Sequence, residues 1–209
     1  MIRYSALHQG ADDLASYGGF IPADIPRFQK LPDPKTQGRY SDEQLYALVL
    51  YVYSLEPPPN PNKEDRQSKR GEDVFNHKGC VFCHTPPLFT DNKLSQVEGF
   101  KAPEKHSTDY DILTTTVATD PDLALKTRRG TGYYKVMSLK GLWNRSVFGH
   151  SGAVASLEDW FDPKRIRDDY APTGFKGYGV KAGGVKGHLF GLDLNAADRK
   201  ALIAFIKTL

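Results

Sequence analysis

Two thiols and an imidazole stand at the spacing that anchors a c-type haem, in the segment Cys80-Val81-Phe82-Cys83-His84. In such a motif each cysteine sulfur adds across a vinyl group of the porphyrin, and the histidine becomes an axial ligand of the iron. These cysteines are the only two in the chain, so no second pair exists to complete a zinc site of about four ligands. A redox-active pair would follow a strand, whereas this motif ends a predicted helix. We therefore predict one covalent haem c, with His84 as its proximal ligand.

The composition is that of a small globular protein without a nucleic-acid signature. Its 209 residues, 39% of them hydrophobic, can form one or two domains, and 19 glycines with 14 prolines predict long ordered loops between few helices. The net charge of +3 is spread along the chain, which does not favour nucleic acid but allows a basic rim to dock an acidic redox partner. No apolar run approaches the roughly 20 residues that span a bilayer, so we expect no membrane span.

The motif also predicts where the protein matures. Haem is attached to this motif outside the bacterial cytoplasm, so we expect a periplasmic or secreted protein made with a leader. The first residues, Met1–His8, contain no apolar stretch of the kind that a signal peptide carries. We expect that the leader was removed or that the natural chain begins upstream.

Two segments share one helical design. Residues 41–55 begin with a serine that can cap a helix and an acidic first turn, then carry apolar residues at helical spacing before Pro57-Pro58-Pro59. Residues 195–209 repeat that pattern, with the pairs Ala47/Ala201, Leu48/Leu202, Tyr51/Phe205, Ser54/Thr208 and Leu55/Leu209. We predict one structural unit used twice, and two unrelated amphipathic helices remain the alternative. If one unit is used twice, residues 1–60 are the tail of a first cytochrome c-like domain that lacks its haem motif, followed by a linker. Residues 61–209 are then a cytochrome c-like haem domain.

The helix predicted before the motif carries Gly71 and Phe75 on one face. Glycine permits the close approach of another helix, and Phe205 on the last helix is the natural partner. Such a crossing of first and last helices resembles the class I cytochrome c fold, so we expect a mainly α, class I cytochrome c-like haem domain with long loops. That likeness also implies that a carbonyl near Pro86-Pro87 accepts a hydrogen bond from the free ring nitrogen of His84.

Several motifs in order carry a wider resemblance. They are Gly71–Thr90 around the two cysteines, Tyr134–Gly141, Gly149-His150-Ser151-Gly152 and Ser156–Asp159. Together they resemble the C-terminal haem domain of bacterial di-haem cytochrome c peroxidases, a superfamily that includes the MauG-type enzymes. The likeness covers about residues 66 to 209, and residues 1–56 resemble the end of the family's N-terminal domain. In that family the N-terminal haem is generally catalytic and the C-terminal haem passes or stores electrons.

The chain departs from the family pattern at three places. Met137 stands where the family has a proline, and Lys140 stands where it has an arginine. The peroxidases carry a Thr-Ala-Pro stretch that contributes to a calcium site between their domains, and here that stretch is Arg145-Ser146-Val147. This last departure does not favour calcium binding.

The second axial ligand is expected from the loop before the last helix. In the peroxidases a distal methionine comes shortly before the leucine that opens this helix, here Leu194, and His188 stands in that loop. Neighbouring glycines permit a tight turn there. Aligning the family motif residue by residue puts Lys164 at the ligand position instead, which we interpret as an insertion before the loop. We predict His188 as the distal ligand, with Met137, His150 and an open or tyrosine-ligated iron as the alternatives.

Further residues are candidates for holding the haem propionates. Arg128, Arg129 and Tyr134 could supply cations and a hydroxyl, since carboxylates pair well with arginine, although a solvated basic loop would have the same composition. His150 lies in a family landmark and is expected beside a propionate or the domain interface, or it satisfies loop carbonyls.

Two imidazole ligands would fill both axial positions of the iron. Such an iron is suited to electron transfer, so we predict an electron-relay module, the second half of a di-haem peroxidase-like protein. Its redox partner would be a small cytochrome or a cupredoxin. A peroxidase or oxygenase with an open distal site is the alternative function, and a haem-based ligand sensor is the second alternative.

Overall fold

Helices joined by long loops are the main regular elements of the chain. The computed structural model describes residues 42–118, 121–126, 131–175 and 182–209. The α-helices in those ranges are α1 (Asp42–Ser54), α2 (Arg66–His77), α3 (His106–Asp109), α4 (Asp122–Lys126), α5 (Leu157–Trp160) and α6 (Ala196–Thr208). Three short 3-10 turns cover Cys80–Phe82, Leu142–Asn144 and Pro163–Ile166. Strands β1 (Leu94–Gln96) and β2 (Tyr133–Lys135) pair antiparallel, with Ser95 opposite Tyr134.

The chain divides into two units, of which the first ends at Pro59 and the second spans Asn60–Leu209. Helix α1 lies in the first unit and ends before the three prolines, as the sequence predicts, because proline lacks a backbone donor. Its side chains Tyr46, Leu48 and Tyr51 are exposed. Across the described ranges, no helix combines the length and apolar character needed to cross a membrane.

Both long helices of the second unit have well-formed starts. Helix α2 opens with a capping box, in which the Asp65 carboxylate accepts from the Ser68 backbone N–H at 2.8 Å and the Ser68 hydroxyl accepts from the Asp65 N–H at 2.8 Å. Helix α6 is capped by Asn195, whose side-chain oxygen accepts from the Asp198 N–H at 2.9 Å. These caps satisfy amides that would otherwise lack partners, so each helix begins at a fixed residue.

Helices α2 and α6 pack directly against each other. A side chain at Gly71 would overlap the backbone carbonyl of Ala201, and its Cβ would lie 2.7 Å from the Cβ of Phe205. The ring centroids of Phe75 and Phe205 lie 5.3 Å apart, edge to face. The predicted contact of Gly71 and Phe75 with Phe205 is therefore present, and it rests on the missing side chain at Gly71.

The core of the second unit is built around this helix pair. Its buried residues are Phe75, Leu142, Leu157, Phe161, Leu194, Leu202, Ile203, Phe205 and Ile206. The half-buried Cys80, Phe89 and Trp160 pack against it from the loops. The loop that follows α2 and the loop that precedes α6 are thus anchored on one core.

Candidate functional site

The two-cysteine motif follows α2 through a sharp change of direction. Gly79 adopts a left-handed conformation, with φ of 77°, and a 3-10 turn begins at Cys80. The N–H of His84 then donates to the carbonyl of Cys80 at 2.9 Å, so the motif folds back on itself. Cys80 packs on the core while Phe82 points outward, 79% exposed. The turn presents both thiols and the imidazole within one short segment.

Both thiols are free and half-buried. Burial raises the pKa of Cys80, and burial together with the nearby Asp91 carboxylate raises the pKa of Cys83. The thiols are therefore protonated at neutral pH, unlike the reactive cysteine of a thiol–disulfide oxidoreductase, whose pKa is lowered. This electrostatic setting does not favour a redox-active cysteine pair.

His84 is oriented by its own loop. Its Nδ1 donates to the carbonyl of Phe89 at 3.2 Å, which leaves Nε2 as the ring nitrogen able to bind a metal. The sequence predicted an acceptor near Pro86-Pro87, and the carbonyl that accepts belongs to Phe89, two residues further along the same loop. Burial lowers the pKa of His84, so the ring is neutral at pH 7, as a metal ligand must be.

His188 lies on the loop before α6, in a backbone conformation that few residues adopt. Gly187 and His188 both have positive φ, 80° and 45°, and the His188 N–H donates to the carbonyl of Val117 at 2.8 Å. Two such residues in succession make the tight turn that the glycines predict. The turn aims the imidazole inward, where it contacts the Trp160 ring at a centroid distance of 5.5 Å.

The rings of His84 and His188 approach each other across a short gap. Their centroids are 6.4 Å apart and their planes are inclined by 54°. Two imidazoles that bind one metal from opposite sides, with metal–nitrogen bonds of about 2.0 Å, have centroids roughly 6.3 Å apart. The gap between these two histidines therefore has the size that a single bis-imidazole metal centre requires.

The ring of His188 carries a polar atom without a partner. Its Nδ1 is buried and has no hydrogen-bond partner among the described residues. Burial of the ring, the titratable His84 ring nearby and the positive charge of Arg165 lower the pKa of His188 to about 4. A buried polar atom without a partner costs stability. The neutral ring keeps one unprotonated nitrogen, which is the form of imidazole that binds a metal.

Apolar side chains beside both histidines are exposed. Along the proximal segment these are Phe82 and Leu88, and along the distal loop they are Leu189, 56% exposed, and Phe190, 44% exposed. Single exposed apolar residues are ordinary, but here several stand close in sequence to two facing histidines, where a flat apolar group could cover them. A porphyrin is a group of that kind.

One carboxylate also lies at the proximal side. The Asp91 N–H donates to the Cys83 carbonyl at 2.8 Å, and its Oδ1 accepts from the Lys93 N–H at 2.9 Å. Its Oδ2 is buried without a hydrogen-bond partner in the described part of the chain. Asp91 could not be predicted from the sequence, because nothing distinguishes it from the other aspartates in the loops.

The other predicted residues fall in different places. Tyr134 on β2 stacks on His150, with ring centroids 3.5 Å apart and planes inclined by 13°. Met137 is 51% exposed, and the preceding Val136 carbonyl accepts from the Thr90 hydroxyl. Arg128 and Arg129 lie outside the described residues. The predicted propionate contacts of all four remaining candidates, Arg128, Arg129, Tyr134 and His150, stay predictions.

A second residue that the sequence did not predict is Arg165, which is completely buried. Its guanidinium donates to the carbonyls of Trp160 at 2.6 Å and of His188 at 2.6 Å. The neighbouring Lys164, placed at the ligand position by one alignment, is exposed. No sequence signal separates Arg165 from Lys164 and Arg167, because all three are basic residues of one short segment.

The comparisons with known proteins add no relative. No protein-family model, no curated protein and no solved structure matches this chain. Over the described residues, no three His, Cys, Asp or Glu side chains converge in a way that could hold a metal ion.

Proposed function

We propose that this chain is a c-type cytochrome that transfers electrons through one covalently bound haem. Cys80 and Cys83 would hold the porphyrin, and His84 and His188 would be the axial ligands. The observation that carries the proposal is the 6.4 Å separation of the two imidazole rings, because histidines far apart in the sequence meet at the distance of a bis-imidazole metal centre.

The residues of the site support this chemistry. Each thiol adds across a vinyl double bond, its sulfur to one carbon and its hydrogen to the other, so attachment needs no oxidant. The Nδ1 bond to the Phe89 carbonyl orients His84, and the neutral ring of His188 would bind the iron from the other side. A bound haem supplies a one-electron ferric/ferrous couple. With His84 and His188 both bound to the iron, no position would be left for peroxide or oxygen.

We further propose that the second unit has a class I cytochrome c-like fold and is the relay half of a di-haem peroxidase-like protein. The close crossing of α2 and α6, with the cysteine motif directly after α2, supports the fold. The ordered motifs from Gly71 to Asp159 support the relationship. A periplasmic or secreted location and a small cytochrome or cupredoxin as redox partner follow from the same proposal, since attachment to such a motif takes place outside the bacterial cytoplasm.

An optical spectrum tests the proposal. The protein, produced in a host that attaches haem to CxxCH motifs, is expected to carry one haem per chain by mass spectrometry and to give a six-coordinate low-spin ferric spectrum. Hydrogen peroxide and carbon monoxide are expected to leave that spectrum unchanged. A high-spin spectrum that responds to either ligand would instead establish the peroxidase, oxygenase or sensor alternatives.

The distal ligand is tested by substitution. His188→Ala is expected to convert the ferric iron to high-spin and to open it to carbon monoxide, because the ring opposite His84 is removed. His77→Ala is the matched control, since His77 is exposed on α2 and its ring bonds to the Asp73 carbonyl at 2.8 Å. An unaltered low-spin spectrum in His188→Ala would remove His188 as the ligand and reopen Met137 and His150.

A further inference from the structure

Arg165 is a buried cation that bonds to backbone rather than to carboxylates. Within the four described ranges, no aspartate or glutamate pairs with its guanidinium. The side chain is 0% exposed, and arginine keeps its charge even where burial lowers its pKa. Because removing such a charge from water is costly, the contacts that hold it in place indicate its role.

Those contacts converge on the backbone of the distal loop. Nη1 donates to the carbonyls of Val185 at 2.5 Å and Gly187 at 3.0 Å, and Nη2 donates to the carbonyl of His188 at 2.6 Å. Nε donates to the carbonyl of Trp160, and the guanidinium lies 4.5 Å from the Trp160 ring centroid. One planar group thus ties the loop from 185 to 188 to helix α5.

The left-handed backbone of the loop needs this support. Gly187 and His188 have φ of 80° and 45°, and a histidine in that conformation is less stable than in an extended one. The planar guanidinium donates to the carbonyls of both Gly187 and His188, and its fixed geometry can hold this backbone conformation. Lysine has no such fork, because its charge is a single rotatable ammonium.

We propose that Arg165 is a positioning residue for the distal ligand, and that its charge raises the reduction potential of the haem. The guanidinium fixes residues 185–188 so that the His188 ring faces His84. Ferric haem carries one more positive charge than ferrous haem, so a nearby buried cation disfavours the ferric form. The inference rests on the proposed haem site.

Two substitutions separate the two roles. Arg165→Met removes the fork and the charge, whereas Arg165→Lys keeps the charge and removes the fork. Arg167→Met is the matched control, because Arg167 lies two residues away, is exposed and pairs with Asp169 at 2.7 Å. The ferric spectrum and the midpoint potential are measured at pH 6, because a low pH favours the protonated ammonium of the buried lysine variant.

Both Arg165 variants are expected to show a mixture of high-spin and low-spin haem, and added imidazole is expected to restore the low-spin spectrum by replacing the displaced ring. The low-spin fraction of Arg165→Met is expected to have a lower midpoint potential than the wild type. In Arg165→Lys that fraction is expected to keep the wild-type potential. Arg167→Met is expected to match the wild type in both measurements.

A wild-type spectrum in both Arg165 variants would overturn the positioning role, and an equal potential in Arg165→Met and the wild type would overturn the role of the charge. If Arg165→Met does not fold by circular dichroism, Arg165→Lys still tests the positioning role, and Arg165→Gln tests the role of the charge. A wild-type protein that binds no haem would overturn the proposed function and this inference together. A low-spin wild type with unaltered Arg165 variants would overturn this inference alone.

Discussion

The proximal segment, residues 79–91, and the distal loop, residues 182–191, hold their histidines by different means. His84 is fixed by neighbours in its own segment, since its N–H donates to the Cys80 carbonyl and its ring to the Phe89 carbonyl. His188 is fixed by Val117 and Arg165, which come from other parts of the chain. The position of His84 therefore depends on local turns, and the position of His188 depends on tertiary contacts.

This difference predicts which of the two histidines would leave a bound haem iron first. Local hydrogen bonds within a short loop form with little loss of chain entropy, whereas contacts between distant segments require the rest of the fold. We expect the distal histidine to dissociate from the iron under milder conditions than the proximal histidine.

The largest expected effect is on the proximal side. In the double variant Cys80→Ser/Cys83→Ser, covalent attachment is expected to be abolished, because a hydroxyl does not form the thioether. The measurement is the mass of the denatured protein and the extraction of haem into acidified organic solvent. Each single variant should keep one thioether and serves as the control, and covalent haem in the double variant would contradict the assignment.

The next effect comes from the helix crossing that supports both sides. Gly71→Ala is expected to lower the free energy of unfolding by about 1–3 kcal/mol, because the added methyl overlaps the Ala201 carbonyl. Gly183→Ala is the control, since a Cβ there meets no atom within 4 Å and its backbone is not left-handed. Denaturant unfolding measures both, and equal stability of the two variants would show that α2 and α6 do not cross closely.

A smaller effect is confined to the distal loop. Gly187→Ala is expected to cost about 1–2 kcal/mol, because alanine at a φ of 80° clashes with its own backbone. The distal histidine should then leave the iron at a lower denaturant concentration than in the wild type, as followed by the low-spin absorption, while the thioethers stay intact. Gly183→Ala again serves as the control, and identical loss curves would argue against a strained distal turn.

The smallest effect concerns helix α5, which carries Trp160 under the distal loop. The Lys207 ammonium lies 2.7 Å from the Glu158 carboxylate and joins α6 to α5. Burial raises the pKa of Glu158, but the hydrogen bond from Lys207, a backbone hydrogen bond and the charge of Lys207 together outweigh it, and the net pKa is lowered. Because the pKa is lower in the folded chain, this stabilisation is present at neutral pH and is lost as the pH falls through the folded pKa.

Glu158→Gln is therefore expected to lower the stability at pH 7 by less than about 1 kcal/mol, since the carboxylate is 59% exposed. At pH 3 the variant and the wild type should unfold at closer temperatures than at pH 7. Thermal melts at both pH values measure this, and a difference that does not shrink at pH 3 would show that the charge of Glu158 has no role.

The elements with strong local signals were predicted well from the sequence. The proline run after α1 and the caps and apolar spacing of α6 act within a few residues, and both helices end or begin where these signals place them. The contact of Gly71 with α6 also followed from local chemistry, because few residues other than glycine permit that approach. Leu48 and Leu202 are paired in the predicted repeat, but Leu48 is exposed and Leu202 is buried. The shared pattern did not predict this difference.

The sequence by itself determined which reactive groups the proximal segment carries, because two thiols and an imidazole at a fixed spacing lie within one short turn of backbone. It also identified His188 as a candidate, through the glycines and the position of the loop before the last helix. The tertiary structure alone decided that the rings of His84 and His188 meet at 6.4 Å and that Arg165 lies buried beneath the distal loop. Such distances and burial arise from packing between segments far apart in the chain, and no pattern within a single segment contains them.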